Sequence, residues 1–295
     1  MTAAIETTAV GRRYGRKWAV RDCTLSIPTG RVVGLVGANG AGKSTLMGLI
    51  VGLLHPTEGR IEVLGGTPGR SAAQLARVGF LAQNIPLYDD LSVGDHLRFG
   101  RAMNQGWDAG LANGRIARAG LDHSQRVRGL SGGQRAQLAL AVAIGKRPEL
   151  LVLDEPVAAL DPLARREFLA DLMALAADGL SIVLSSHLMG DVERVCDHLV
   201  VLSDGRVSVN GEVDGLLADH KILVGPRGDS DRLPSDQVLI RASHTDRQTT
   251  LLVRTSKPIL DPRWTVTDIG LEELVLAYMA SPMSAPSVRP LRKVG

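Results

Sequence analysis

Gly37-Ala-Asn-Gly-Ala-Gly-Lys43-Ser44 follows the apolar run Val32-Val-Gly-Leu-Val36 and opens onto Thr45-Leu-Met-Gly-Leu-Ile-Val51. The run reads as a strand, the glycine-rich stretch as a turn and the last segment as a helix, the setting that the G-x-x-x-x-G-K-[ST] pattern requires. Each residue type answers a chemical demand. Gly37, Gly40 and Gly42 let the backbone take turns closed to other residues, so several N–H groups converge on phosphate oxygens. The helix that follows adds its positive end and its free N–H groups. Lys43 supplies a mobile charge for the β- and γ-phosphates, and Ser44 a hard hydroxyl oxygen for Mg²⁺. The stretch predicts an α/β fold organised around a P-loop that holds a nucleotide.

Toward the N-terminus, residues 5 to 36 alternate apolar and polar positions between turn signals at Gly11, Gly15 and Pro28-Thr-Gly30, which predicts short antiparallel strands. Tyr14 lies among them, by itself an ordinary half-buried aromatic. Beyond the first helix, Gly59 to Leu64 and Val78 to Ala82 read as strands, the second ending at Gln83. From about Leu91 to Arg128 short helical patterns are broken by glycines, with Ser92 as an N-cap. Leu130-Ser-Gly-Gly-Gln134 then leads into a strongly helical run, with Ser131 as its cap and two glycines that let an anion approach the helix end.

Leu150-Leu-Val-Leu153 is wholly apolar, as a buried parallel strand should be, and stops at Asp154-Glu155. Two adjacent carboxylates there need a cation or a proton-transfer role, and an unbroken strand would point them to opposite faces. Ser181 to His187 repeats the pattern, an apolar strand ending in polar residues. In open α/β sheets ligands bind at this carboxyl edge, which now carries Gln83, Asp154, Glu155 and His187. The segment 198–210 reads as a hairpin about Asp204-Gly205. Past Leu217 short strands at 222–225, 238–241 and 250–254 precede an amphipathic helix at 271–279, and a Pro- and Ser-rich tail from Ser281 reads as disordered.

The chain of 295 residues has room for one large α/β domain and a small appendage. Hydrophobic residues make up 44% but aromatics only 3%, so aliphatic side chains must build the core. A net charge of +3, with acids and bases interspersed, argues against a dedicated nucleic-acid binder. Cys23 and Cys196 lack metal or redox spacing and read as small buried hydrophobes in a reducing compartment. The opening Met1-Thr-Ala-Ala-Ile-Glu6 is not built as a signal peptide, and no run reaches about 18 apolar residues. A soluble cytoplasmic chain, placed at the membrane only through another subunit, is expected.

Taken in order, Gly37 to Ser44, Gln83, Leu130 to Gln134, Leu150 to Glu155, Leu160-Asp161 and His187 resemble the nucleotide-binding subunit of an ATP-binding cassette transporter, over residues 5 to 215. The resemblance implies a P-loop NTPase core with an antiparallel β subdomain, an inserted helical subdomain at about 91–145 and a small α+β C-terminal domain. Together with the change of pattern past Leu217 and the composition of the tail, it leads us to expect a nucleotide-binding domain at 1–217, an accessory domain at 218–280 and the tail at 281–295. It makes Glu155 the general base, His187 the γ-phosphate contact, and Lys43 and Gln83 their catalytic partners. ATP would be held by Tyr14 against adenine and by Gly37, Asn39, Gly40, Ala41, Gly42, Lys43, Ser44 and Thr45 at the phosphates. Ser44, Gln83 and Asp154 would complete the environment of Mg²⁺. Ser131, Gly133 and Gln134 would bind ATP held by a second cassette, with a homodimer expected and a membrane permease as the further partner. Two departures stand out: Val157 after Asp-Glu-Pro, and Ala136-Gln137 in place of a commoner basic pattern. Read alone, neither carries chemistry. The ending Gly270-Leu-Glu-Glu-Leu-Val-Leu-Ala-Tyr-Met279 resembles the bacterial drug and polysaccharide export branch, with the ATPase lying on the inner face of the cell membrane. A soluble cassette ATPase of translation or DNA repair is the second reading, but the paired cassettes or long coiled coil of those proteins are missing. A non-catalytic nucleotide-binding regulator is the third, and it has no need of Lys43, Glu155 and His187 together.

Overall fold

Four short apolar runs, far apart in the chain, become neighbours in one sheet. The computed structural model describes residues 3–158, 160–227 and 236–280. The chain opens with β1 (Ala3–Tyr14), β2 (Lys17–Pro28), β3 (Val32–Gly37), α1 (Lys43–Ile50) and β4 (Glu58–Val63). A short α2 (Ala72–Ala76) leads to β5 (Val78–Leu81), followed by α3 (Val93–Met103), α4 (Ala109–Arg118) and α5 (Gly132–Gly145). Next come β6 (Leu150–Leu153), α6 (Pro162–Ala177), β7 (Ser181–Ser185), α7 (Met189–Val195), β8 (His198–Ser203) and β9 (Arg206–Glu212). The central sheet has the order β5-β6-β7-β3-β8-β9, with the first five strands parallel and β9 antiparallel. Leu150 to Leu153 and Ile182 to Leu184 are fully buried, as strands covered on both faces must be. Because β5, β6, β7 and β3 run parallel and adjacent, their carboxyl ends form one edge. The β8–β9 turn is the Asp204-Gly205 pair, both at positive φ (49° and 75°), as a tight two-residue hairpin demands.

The second sheet, β2-β1-β4, is antiparallel. Its first two strands are twelve residues each, longer than the short strands expected, because Gly11 is not a turn. It pairs with Glu58 inside the sheet, and a Cβ there would lie 2.8 Å from both the Trp18 ring and the Glu58 side chain. The real reversal is at Gly15, between Tyr14 and Lys17.

The helices α3, α4 and α5 close over their own core of Val93, Leu97, Ile116 and Leu138. Ser92 and Ser131 each cap a helix reciprocally: the hydroxyl accepts from the N–H of Asp95 or Gln134, whose side chain accepts the serine N–H in return. Gln137 has an occupation that its sequence position hides. Its side-chain oxygen accepts from Nε of Arg115 at 2.9 Å, and Nη2 of Arg115 donates to Asp171 at 2.6 Å. Arg115 is only 2% exposed, so α4, α5 and α6 meet on one buried guanidinium. Both cysteines are buried and unpaired. Burial pushes the Cys23 thiol from near 9 up to about 11, and raises Cys196 as well, with Asp197 and Asp191 adding to the effect.

The chain divides into two units between Gly215 and Leu216, within α8 (Val213–Asp219). The second unit contains β10 (His220–Pro226), β11 (Val238–His244), β12 (Gln248–Arg254), β13 (Thr265–Asp268) and α9 (Leu271–Ala280). Its antiparallel sheet, in the order β11-β12-β10-β13, has a core of Leu223, Leu251, Val253 and Trp264. The helix α9 buries Leu271, Leu274, Val275 and Ala277, the periodicity its sequence shows. Thr265 to Asp268 is exposed throughout and has no apolar alternation, which is why β13 does not read as a strand. The segment from 281 lies outside the described residues. Among the described residues no helix is long and apolar enough to cross a membrane.

Candidate functional site

The edge formed by β3, β5, β6 and β7 releases four segments into one cleft. After β3 the chain turns through Gly40 and Gly42 into α1. At Gly42 φ is +104°, and a Cβ would sit 2.3 Å from the carbonyl oxygen of Ala19, so no other residue fits. Lys43 is the first residue of α1. Its Nζ folds back to the carbonyls of Gly37 (2.8 Å) and Ala38 (3.2 Å), with the residue only 6% exposed.

The strand β6 ends at Leu153, so the alternation that would separate Asp154 from Glu155 is already broken. Glu155 adopts φ +48°, a left-handed turn. Its N–H donates to Ser185 Oγ at 2.8 Å, and that hydroxyl donates in turn to Asp154 Oδ1 at 2.7 Å. Ser185, the last residue of β7, thus fixes the Asp154 carboxylate and the Glu155 backbone from the neighbouring strand. The Glu155 carboxylate meets two further groups: Gln83 Nε2 donates to Oε2 at 3.2 Å, and His187 Nδ1 lies 3.5 Å from the same oxygen.

The result is an open cleft of about 540 Å³, lined by Asn39, Gly40, Gly42, Lys43, Ser44, Thr45, Gln83, Glu155 and His187, with Ala19 from β2. Two hydroxyls, two amides, a carboxylate, an imidazole and an ammonium line it, a set suited to a polyphosphate with a hard cation. Ala19 had no sequence signal, being one alanine in a strand; Ser185 had a faint one, standing two residues before His187. Several expected residues lie elsewhere. Gly37 and Ala41 belong to the loop but not to the cleft lining, and Asp154 is buried outside it, accepting from the Ser185 hydroxyl. Tyr14 is half exposed at the β1–β2 turn, with the Arg12 guanidinium 5.0 Å from its ring centroid, outside the lining. Ser131, Gly133 and Gln134 do not reach the cleft either. A second groove of about 430 Å³ runs from Gln83 past Glu155 and Leu160 to Gly132 and Arg135, so Glu155 borders both.

Residues 20–158 match the family described as ABC transporter. The Nod factor export ATP-binding protein I of Rhizobium leguminosarum bv. viciae is 36% identical over 223 residues, spanning 74% of this chain and 72% of the relative. The protein of the same name from Bradyrhizobium diazoefficiens is 38% identical over 223 residues, spanning 74% and 73%. Among solved structures, the ATP-binding subunit of an ABC transporter superposes with a TM-score of 0.66 at 29% identity, over 73% of this chain and 92% of that one. An ATP-bound bacterial Atm1-family ABC exporter superposes at 0.64 and 25% identity, over 73% and 39%. A complete phosphate loop, a carboxylate-bearing strand end beside it and these matches lead to one conclusion: the chain belongs to the ATP-binding cassettes of the ABC transporter family, which hydrolyse ATP to power transport.

Proposed function

We propose that this cassette drives a separate membrane permease in export, with a lipid, drug or polysaccharide as cargo. The observation that carries the ATPase chemistry is the meeting of Gln83, Glu155 and His187 at one carboxylate oxygen beside Lys43. Export rests on the relatives, whose name specifies Nod factor export.

Within the site, the backbone N–H groups of Gly37 to Ser44 and the Lys43 ammonium hold the β- and γ-phosphates. Ser44 and Gln83 offer oxygen donors in the cleft that fit Mg²⁺, which would neutralise phosphate charge when bound, and the buried Asp154 carboxylate, bonded to Ser185, would add its charge from outside the lining. Glu155 takes the proton of the attacking water, which Gln83 and His187 help to orient, and His187 contacts the γ-phosphate. The ring of Tyr14, with one face under Arg12, offers the other to adenine.

Ser131, Gly133 and Gln134 stand at the positive end of α5, away from the Lys43 cleft, and are assigned to ATP held by a second cassette. A homodimer satisfies this. The permease contact is assigned to the segment Gln83 to Leu97 and the α3 face beyond it, where Tyr88, Leu91, Phe99 and Met103 are exposed. His96 braces that segment: its Nε2 accepts the Tyr88 N–H at 3.1 Å. The cassette would then lie on the inner membrane face. The unit beginning at Leu216 has an accessory role in pairing or regulation, since every site residue precedes it.

Lys43→Ala should remove most ATP binding, measured by equilibrium titration. Binding as tight as the parent's would overturn the assignment. Cross-links between the purified chain and a co-expressed permease should fall in 83–103; cross-links confined to residues after 216 would contradict the contact.

A further inference from the structure

His187 is half exposed, lines the cleft, and lies with Nδ1 3.5 Å from Glu155 Oε2. Something must hold its loop. The hydroxyl of Ser186 accepts the Leu188 N–H at 3.0 Å and makes a local turn, but α7, which follows, is seven residues long and its N-cap Leu188 supplies no side-chain cap. On one side α7 rests against β3, where a Cβ on Gly34 would lie 2.7 Å from Val192. On the other, Asp191 reaches Arg165 of α6. Nε and Nη2 of Arg165 both donate to Oδ1 of Asp191, at 2.8 and 2.5 Å. Asp191 is 5% exposed, and its Oδ2 is buried without a hydrogen-bond partner.

Arg165 is 28% exposed and Asp191 nearly buried, and a half-buried ion pair with one orphan oxygen is a poor way to gain stability, since the desolvation of the carboxylate offsets much of the attraction. What it supplies is direction. Arg165 stands in the first turn of α6, one turn beyond Asp161, whose carboxylate caps that helix by accepting from the N–H groups of Leu163 and Ala164. The pair therefore ties the turn after Leu160, which lines the groove beside Glu155, to the loop that carries His187.

We propose that Arg165 and Asp191 are positioning residues for hydrolysis, holding His187 in register with Glu155 by locking α7 to α6. The proposal rests on the roles given to Glu155 and His187. Its test uses the full chain with Mg²⁺-ATP, reading turnover and ATP affinity separately. Arg165→Gln and Asp191→Asn should each lower kcat about tenfold, as displacement of a catalytic group does, while ATP affinity stays within about twofold of the parent. Arg165→Lys, which keeps a charge for Oδ1, should retain most of the turnover. The deciding measurement is Asp191→Asn in a His187→Ala background. A residue acting through His187 costs nothing more once His187 is gone, whereas a merely structural one costs the same in both backgrounds. Equal cost in both, or a loss of affinity in step with turnover, overturns the proposal. If His187→Ala alone leaves turnover unchanged, the role of His187 falls first and takes the proposal with it.

Discussion

At Glu155 the backbone is held in a conformation that costs about 1–2 kcal/mol for any residue with a Cβ. The bond from its N–H to Ser185 is what maintains it. The bend turns the carboxylate to meet Gln83 and His187. Glu155→Gln keeps the shape and the backbone bond but cannot accept a proton. Turnover should fall about 10²–10⁴-fold, the usual worth of a general base, with ATP affinity retained. Binding without turnover should then hold two cassettes together, so the variant should elute as an ATP-dependent dimer where the parent is monomeric. Unchanged turnover would remove Glu155 from the mechanism. Gln83, Asp154, Glu155 and His187 were legible as a group because each closes an apolar run at one sheet edge. The dual bond of Ser185 was not, since it joins residues 30 and 31 positions apart, and no local pattern encodes that pairing. Tyr14 marks another limit: by itself it reads as an ordinary strand aromatic, its role comes only from the family resemblance, and its ring stands outside the cleft lining.

Among the elements, the helices α3, α4 and α5 announced themselves by caps and periodicity, and Ser92 and Ser131 do cap as the spacing implies. What joins them to α6 was hidden. Gln137 looks like a neutral departure until Arg115 arrives from 22 residues upstream and Asp171 from 34 downstream. Burial lowers the Arg115 pKa while the Asp171 charge opposes that shift, so the guanidinium depends on its carboxylate. Removing that partner leaves a buried charge uncompensated. Asp171→Ala should therefore cost about 3 kcal/mol, read from urea unfolding of the full chain. Asp171→Asn, which keeps an acceptor, should cost less. Replacing Arg115 and Asp171 together with leucine should recover most of the loss; a double variant as unstable as Asp171→Ala would show that the charge was not the cause. Gly11 teaches a related lesson about strands. A glycine inside an alternating run reads as a break, whereas here it makes room for Trp18 and lets β1 continue.

For the molecule as a whole, the division after Gly215 separates the ATP chemistry from the small antiparallel unit, and both cysteines fall on the nucleotide side. Their thiols are buried and held protonated. Because the folded Cys23 pKa is raised from near 9 to about 11, its contribution to stability is complete below pH 9 and is lost as pH climbs toward 11, where the unfolded chain ionises first. Cys23→Ala should flatten that alkaline decline in a pH series of urea midpoints. At neutral pH the fully buried and protonated Cys23 thus offers a thiol reagent little to attack, and its labelling reports an excursion in which the core has opened. In the Glu155→Gln chain, where bound ATP persists, nucleotide at one hundred times its Kd should suppress such excursions about a hundredfold. Cys23 then acts as an internal clock for opening, slowed by the nucleotide the cleft retains.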